Sequence, residues 1–382
     1  LADRYALGFL GLTVAIAAMA WVVSGDPIRA LSVLVVATPC PLILAVPVAI
    51  LAGISRSART GALVKDGAAL EALARVRSAI LDKTGTLTEG RPTVTEIRTT
   101  NGFSEYDVLA LAASLDQASA HVVAMSLTQT ASKAGLALLL PTDIREVPGK
   151  GVEGIVDGRH VAIGGDTYVR NRSRCDHPLL DRLQASAGTI SVAVAVDGTV
   201  AGVILLQDQV RTDARSTLDK LRAAGIERIV LASGDTEGIA RAVAQSLGVD
   251  EILGDLTPEG KVAAVRREAA TRAVMMVGDG VNDAPALAAA DVGVAMGARG
   301  AAASSEAAGV VLLVDQLLPL AKALDIARRT RIIALQSVIA GLGLSVAGMM
   351  VAAFGYLPPV QGALFQEVID VVVILNALRA LR

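Results

Sequence analysis

The sequence predicts a mixed fold, with membrane-spanning α-helices at both ends of the chain and an α/β insert between them. Three observations predict it: four long apolar stretches near the termini, short strands that end in acidic, glycine-rich tips, and a central tract of antiparallel texture. The totals agree. Of 382 residues, 53% are hydrophobic and only 19% are charged, and the mean hydropathy is +0.56. A net charge of −2 supplies no basic field for nucleic acid. The two cysteines, Cys40 and Cys175, set no disulfide framework, which suits a reducing cytoplasm. The chain begins at Leu1 and not Met, so the expectation is a fragment of a longer protein.

The first two apolar stretches, residues 5–23 and 30–54, carry no charge; residues 332–354 and 360–378 form the second pair. Each is about the 20 residues a helix needs to cross a bilayer. A cleaved signal peptide does not account for four of them. Arg56, Arg59 and Lys65 follow the second stretch, Arg328, Arg329 and Arg331 precede the third, and Arg379 and Arg382 trail the fourth. The connections 24–27 and 355–359 contain no Lys or Arg. Basic residues stay on the cytoplasmic side, so residues 55–330 are expected there.

Within the insert, apolar strands at 78–81, 228–232, 273–277 and 291–295 each run into a polar turn, and helical patterns at 213–224 and 238–247 separate the later ones. Repeated strand–helix units imply a parallel sheet with reactive residues at the carboxyl ends of its strands. Between residues 90 and 208 the texture changes. Strands at 152–156, 160–163, 190–196 and 199–205, with turns at Asp157-Gly158 and Asp197-Gly198, read as an antiparallel sheet. The expected organisation is a membrane pair at 1–54 kinked at 38–41, a discontinuous domain at 55–90 and 209–330, an inserted domain at 91–208, and a second membrane pair at 331–382.

The chemistry concentrates at the strand tips. Asp82-Lys83-Thr84-Gly85-Thr86-Leu87-Thr88 follows an apolar strand and presents a carboxylate with amides and hydroxyls behind it. In-line phosphoryl transfer to a carboxylate needs that positioning and charge neutralisation. Gly278-Asp279-Gly280-Val281-Asn282-Asp283 follows another strand, and its two acids joined to Asp82 make an oxygen site for Mg²⁺. Ser233-Gly234-Asp235 offers a hydroxyl and amides to a phosphoryl oxygen, and Lys261 a cation for developing charge. Any one of these strings alone reads as a solvated turn; four in this order point to one chemistry.

Asp-Lys-Thr-Gly-Thr-Leu-Thr, Thr-Pro-Glu-Gly-Lys at 257–261 and Gly-Asp-Gly-Val-Asn-Asp-Ala-Pro at 278–285 resemble the phosphorylation-domain signatures of P-type ATPases, a branch of the haloacid dehalogenase superfamily. The resemblance covers essentially the whole chain. It implies a haloacid-dehalogenase-like Rossmannoid phosphorylation domain, an inserted α+β nucleotide-binding domain and four transmembrane helices. It implies that Asp82 forms an aspartyl phosphate, that Asp82, Asp279 and the Thr84 carbonyl hold Mg²⁺, and that Lys83, Thr84, Ser233, Gly234, Asp235, Lys261, Asn282 and Asp283 complete the catalytic set. The family's Thr-Gly-Asp reads Ser-Gly-Asp here, which keeps the hydroxyl.

ATP is the nucleotide the resemblance implies. Gly149-Lys150-Gly151 matches the Gly-x-Gly turn of the heavy-metal branch, and His121 matches its adenine-side histidine by position, although Ala120 and Val122 stand where Glu and Pro are common. Taken alone, His121 reads as a packed or solvated residue. His177-Pro178 reads as surface. The string from Gly149 to Gly154 also fits GxGxxG, but it lies between extended segments and opens no helix.

The second apolar stretch is broken by Thr38-Pro39-Cys40-Pro41, with Pro47 beyond. Proline removes an amide donor and clashes with the preceding turn, so the helix must unwind and free carbonyls, tolerated only where they line a protein cavity. Gln366, Glu367 and Asp370 in the fourth stretch share one broad helical face. Carboxylates at that depth cost about 2.5–3.5 kcal/mol each and are functional by default. A thiolate, two carboxylates and an amide suit Ni²⁺, Fe²⁺, Co²⁺ or Zn²⁺ better than Cu⁺. Thr-Pro-Cys with Gln-Glu-x-x-Asp resembles a subgroup linked to nickel and iron export. A multi-pass protein of the bacterial plasma membrane is expected, with lipid and a metal ion as partners and no nucleic acid.

The actuator domain of such pumps carries a Thr-Gly-Glu loop, and no such string occurs in these 382 residues. The expectation is that this chain needs that domain and the earlier membrane helices to complete transport. Two rival readings are a soluble phosphatase of the same superfamily and a non-catalytic membrane remnant that binds metal.

Overall fold

The computed structural model describes residues 3–38, 41–100, 102–119, 121–174, 177–181, 189–279, 282–297 and 302–381. Its contacts divide the chain into two compact units: Leu1–Ile80 with Arg215–Ile229 and Pro258–Arg382, and Leu81–Ala214 with Val230–Thr257.

The first unit holds the apolar helices. Asp3–Ser24 is a continuous helix. The second stretch is not: it runs as Pro27–Val36, then a widened turn at Pro41–Ala45, then Val46–Arg59. Asp26 caps its start by accepting from the Ile28 amide at 2.8 Å. A single helix Leu318–Ala353 forms the third span and continues well into the polar insert, and Pro359–Ala377 forms the last. Among the described residues, two helices are long and apolar enough to cross a membrane, Leu7–Ser24 and Leu318–Ala353. The expected second span falls short because the proline-rich break divides it. The fourth, at 19 residues, carries Gln366, Glu367 and Asp370.

Small residues let these helices approach closely, as membrane packing requires. A Cβ on Gly348 would lie 2.7 Å from the Phe365 ring and 2.9 Å from Val36, and one on Gly362 would lie 2.8 Å from Val36. Val36 is thereby locked between the long helix and the last one. Val22 and Val23 on the first helix are more than 80% exposed, 83% and 81%. A run of apolar surface that open belongs against lipid or further helices.

Strands in chain order are β1 (Ala62–Val64), β2 (Ser78–Asp82), β3 (Thr88–Thr99), β4 (Thr142–Val147), β5 (Gly151–Val156), β6 (Arg159–Gly164), β7 (Thr189–Val196), β8 (Thr199–Val210), β9 (Arg228–Ala232), β10 (Glu251–Leu253), β11 (Val274–Gly278), β12 (Val292–Met296) and β13 (Val310–Leu312). Seven form one sheet in the order β1-β13-β12-β11-β2-β9-β10. The pairs β9–β10, β11–β12 and β12–β13 are parallel and β1–β13 is antiparallel. β2, β11 and β12 are buried along their whole length, as strands covered on both faces are.

The other six strands form an antiparallel sheet, β3-β8-β7-β6-β5-β4, within the second unit. Its hairpins turn where expected: Asp157 and Gly158 have φ of 52° and 73°, Asp197 and Gly198 of 52° and 78°. Two successive positive φ values define the tight turn whose twist matches the flanking strands. The helices Glu105–Asp116 and Val122–Lys133 cover one face, and Leu115, Leu127, Val156, Val194, Ile204 and Leu206 meet in a core. Each such side chain contributes about 1.5–3 kcal/mol by leaving water.

Candidate functional site

In the second unit, β2 delivers Asp82 to its carboxyl end at 5% exposure. The chain then opens into a wide turn at 83–87, where Thr84 is extended and Gly85 has φ of +69°. Arg211 fixes that turn from behind: its Nε donates to the Thr86 carbonyl at 2.8 Å and its Nη2 to the Gly85 carbonyl at 3.2 Å. Thr88 Oγ1 closes the turn, donating to Asp208 Oδ2 at 2.6 Å while standing 3.0 Å from the Lys83 carbonyl oxygen. With the carbonyls of Gly85, Thr86 and Leu87 engaged, the turn is held in place. Thr84 alone of the turn faces solvent.

Lys83 is buried and pairs with Asp235 Oδ2 at 2.5 Å. Asp235 also accepts from Ser233 Oγ at 3.2 Å, and its amide donates back to that oxygen at 3.1 Å. Ser233, at the tip of β9, is 1% exposed. Lys83, Ser233 and Asp235 therefore form one polar network at a strand tip, with Gly234 in its turn.

The first unit supplies a second acidic tip. Lys261, on the helix Pro258–Ala269, pairs with Asp283 Oδ1 at 2.6 Å, and Asp283 is 2% exposed. Gly278 ends β11 against that carboxyl: a Cβ there would stand 2.5 Å from Asp283 Oδ2. Asp279 follows at the strand tip, half-buried, and Asn282 is exposed. Gly280 and Val281 lie outside the described residues.

The antiparallel domain contains a cleft of about 270 Å³, lined among others by Asp116, His121, Glu146, Gly149, Lys150 and Gly151. The three residues singled out in sequence for nucleotide thus border one cavity. His121 caps the helix Val122–Lys133, its Nδ1 accepting from the Val123 amide at 3.3 Å. That bond leaves the neutral ring's proton on Nε2. Gly149 takes φ of +72°, the left-handed turn that lets Lys150 N donate to the Val147 carbonyl at 2.9 Å. Gly151 pairs across the sheet with Gly164. A Cβ on Gly151 would lie 2.3 Å from the Ile163 carbonyl and 2.5 Å from the Tyr168 ring.

Three cleft residues escaped the sequence reading. Asp116 is buried, and that burial, with Glu146 nearby, pushes its carboxyl up to about 7. Lys150 lies between the two glycines, and Gly164 faces Gly151. The available signals were an acid closing an apolar helical run just ahead of His121, and the glycine pair Gly164-Gly165 after a β-rich string.

Among the membrane helices, Gln366 is 4% exposed and ties three elements together. Its Nε2 donates to the Thr38 carbonyl at 3.3 Å and to Asp370 Oδ1 at 3.0 Å, while Ser345 Oγ donates to its Oε1 at 3.2 Å. The Thr38 carbonyl is one that the break in the second span releases. Glu367 points elsewhere and is exposed, so the helical face expected to carry all three polar residues divides. Asn376, further along, donates to Ser337 Oγ at 2.8 Å. Pro39 and Cys40 lie outside the described residues.

A profile of the haloacid dehalogenase-like hydrolases matches residues 76–291. The chain is 40% identical over 404 residues to a silver exporting P-type ATPase of Salmonella typhimurium, a match that covers 99% of this chain and 48% of that protein. It is 36% identical over 379 residues to a zinc-transporting ATPase of Synechocystis sp., covering 97% of this chain and 52% of that one. A crystal structure of a zinc-transporting PIB-type ATPase in its E2.Pi state superposes with a TM-score of 0.84 at 35% identity, covering 99% of this chain and 62% of that chain. The chain spans about half the length of the curated relatives it matches.

Proposed function

Since the chain belongs to the haloacid dehalogenase-like hydrolases, in the branch of the heavy-metal P-type ATPases, we propose that Asp82 takes the γ-phosphoryl group of ATP and that this step drives export of a heavy-metal ion. An Asp82 carboxylate oxygen attacks the γ-phosphorus in line; the new O–P bond forms as the bond to the β,γ-bridging oxygen breaks, and ADP leaves with the electron pair. The observation that carries the reading is the seat of Asp82: a carboxylate at 5% exposure, at the end of a buried strand, on a turn that Arg211 holds open.

The donor chemistry fits magnesium. Asp82 at the end of β2, Asp279 just past β11, Asp283 and the Thr84 carbonyl offer only hard oxygen ligands. When bound, Mg²⁺ neutralises phosphate charge. The chain's own groups do the rest. Thr84, Ser233 and the Gly234 amide orient phosphoryl oxygens, Lys261 opposes their charge, and Lys83 holds Asp235 in place. Asn282 lines the same tip. His121, Gly149 and Gly151 shape the cleft for the adenine end of ATP, with Lys150 at its mouth.

Within the membrane we propose that Gln366, Asp370 and the Thr38 carbonyl, with Cys40, receive the transported ion. An amide, a carboxylate and one thiolate favour a divalent ion of the Ni, Fe, Co and Zn class. The relatives named above move silver and zinc. The reading places the protein in a bacterial plasma membrane with its catalytic units cytoplasmic. A full cycle also requires an actuator to position the hydrolytic water, and earlier membrane helices.

Labelled ATP and Mg²⁺ test the central step. The chain should acquire an acid-stable, hydroxylamine-labile phosphate, and Asp82→Asn should acquire none. Label that survives in Asp82→Asn, or that resists hydroxylamine, overturns the assignment. Metal-dependent phosphorylation across Ni²⁺, Fe²⁺, Co²⁺, Zn²⁺ and Cu⁺, with Cys40 and Asp370 variants, ranks the ions.

A further inference from the structure

A cavity of about 470 Å³ lies where the second and third spans leave the apolar zone, bordered by Arg56, Thr60, Lys220, Lys322 and Asp325 together with apolar residues. Its size falls in the roughly 300–1,000 Å³ range of small-molecule sites. Three cations face one carboxylate. Among the described residues, none of Arg56, Lys220 and Lys322 is in an ion pair, although surface cations elsewhere in the chain, such as Arg215 with Asp219, do find partners. The acceptors at the end of the helix Ala214–Ala223 would ordinarily repel an anion. Here they are occupied: Arg328 donates to the carbonyls of Ala224 and Gly225, and to that of Val76 at 2.7 Å.

Depth narrows the ligand. Arg56 stands just past the last apolar residue of its span, beside the level at which Gly53 meets Thr330. Lys322 lies on the long helix roughly 13 Å below Arg331, at 1.5 Å per residue. The headgroup layer is roughly 5–8 Å thick on each side of the hydrocarbon, so the cavity opens at that layer and extends away from it. Basic pockets between spanning helices on the cytoplasmic side suit anionic headgroups. We propose that this pocket binds the phosphate of an anionic membrane phospholipid, with Arg56 on the phosphate and the two lysines on its outer oxygens.

The full chain, reconstituted into phosphatidylcholine vesicles with a rising fraction of phosphatidylglycerol, provides the test. Acetylation rates of Lys220 and Lys322 are followed by peptide mass spectrometry, with Lys133 of the antiparallel domain as the reference. Phosphatidylglycerol should slow labelling of both lysines and leave Lys133 unchanged. Binding of a spin-labelled phosphatidylglycerol should weaken roughly tenfold or more in Lys220→Gln/Lys322→Gln and persist in Lys220→Arg/Lys322→Arg. Equal protection by phosphatidylcholine alone overturns the proposal. So does protection by inorganic phosphate in phosphatidylcholine vesicles, which would mark a site for a soluble anion. Thermal unfolding of the Gln variant, expected to match the parent, separates lost binding from lost fold.

Discussion

Lys261 Nζ sits 2.6 Å from Asp283 Oδ1, and the carboxylate it holds is all but removed from solvent. Truncating Lys261 strands a buried charge, which costs about 3–5 kcal/mol. Lys261→Met should therefore lower the thermal midpoint markedly as well as abolish phosphorylation. Lys261→Met/Asp283→Asn should recover much of the stability and none of the label. A single variant as stable as the parent would mean that the ion pair contributes nothing.

Asp116 carries a pH signature. The folded chain keeps this carboxyl protonated up to about 7, whereas its usual value is 3.8. Between those values the folded state binds a proton that the unfolded state has released. Stability contributed by the neutral acid is thus present at acid pH, declines as pH rises through that interval, and is level above it. The loss is at most roughly 4 kcal/mol. Urea titrations at several pH values should show the slope in the parent and its absence in Asp116→Asn.

Gly149 and Gly151 should answer substitution differently. A Cβ at Gly149 meets nothing within 4 Å, so Gly149→Ala suffers only the left-handed backbone strain, about 1–2 kcal/mol. At Gly151 the added atom collides with the Ile163 carbonyl and the Tyr168 ring. Gly151→Ala should weaken ATP binding by at least tenfold, measured by calorimetry, and Gly149→Ala by much less. Equal losses would show that steric closure of the cleft floor is not the cause.

Gln366 joins Thr38, Ser345 and Asp370 in a buried network, so Gln366→Leu leaves three polar partners unmatched. Each costs about 1–3 kcal/mol. Equilibrium metal binding should fall at least tenfold in this variant, while phosphorylation of Asp82 from inorganic phosphate survives. Undiminished metal affinity would remove Gln366 from the ion path.

Much of this molecule was legible in the residues. The strands that deliver Asp82, Ser233 and Asp279 are short apolar runs against polar tips, and local composition sufficed to find them. Asp157-Gly158 and Asp197-Gly198 marked their hairpins because two positive φ values leave few other choices. β3 went unread, since Gly90 and Pro92 interrupt its pattern; it tolerates both as an edge strand with shifted register. β4, at the other edge, hides behind Asp143 at φ of 50°. Asp116 and Gly164 left only weak local signals. Their significance lies in what faces them across the cleft, which those signals do not encode. The separation of Glu367 from Gln366 and Asp370 likewise depends on which side of the last helix its neighbours occupy.

The long helix Leu318–Ala353 has no proline in its interior. Arg328 pins it to the loop carbonyls of the α/β layer, and Ser345, about 26 Å further along at 1.5 Å per residue, grips the side-chain amide of Gln366. Such a rod acts as a lever. Tilting it by about 5° around the Arg328 fulcrum sweeps Ser345 through roughly 2 Å, more than a hydrogen bond can stretch. A swing of a few degrees at the Arg328 end is therefore enough to part Ser345 from Gln366.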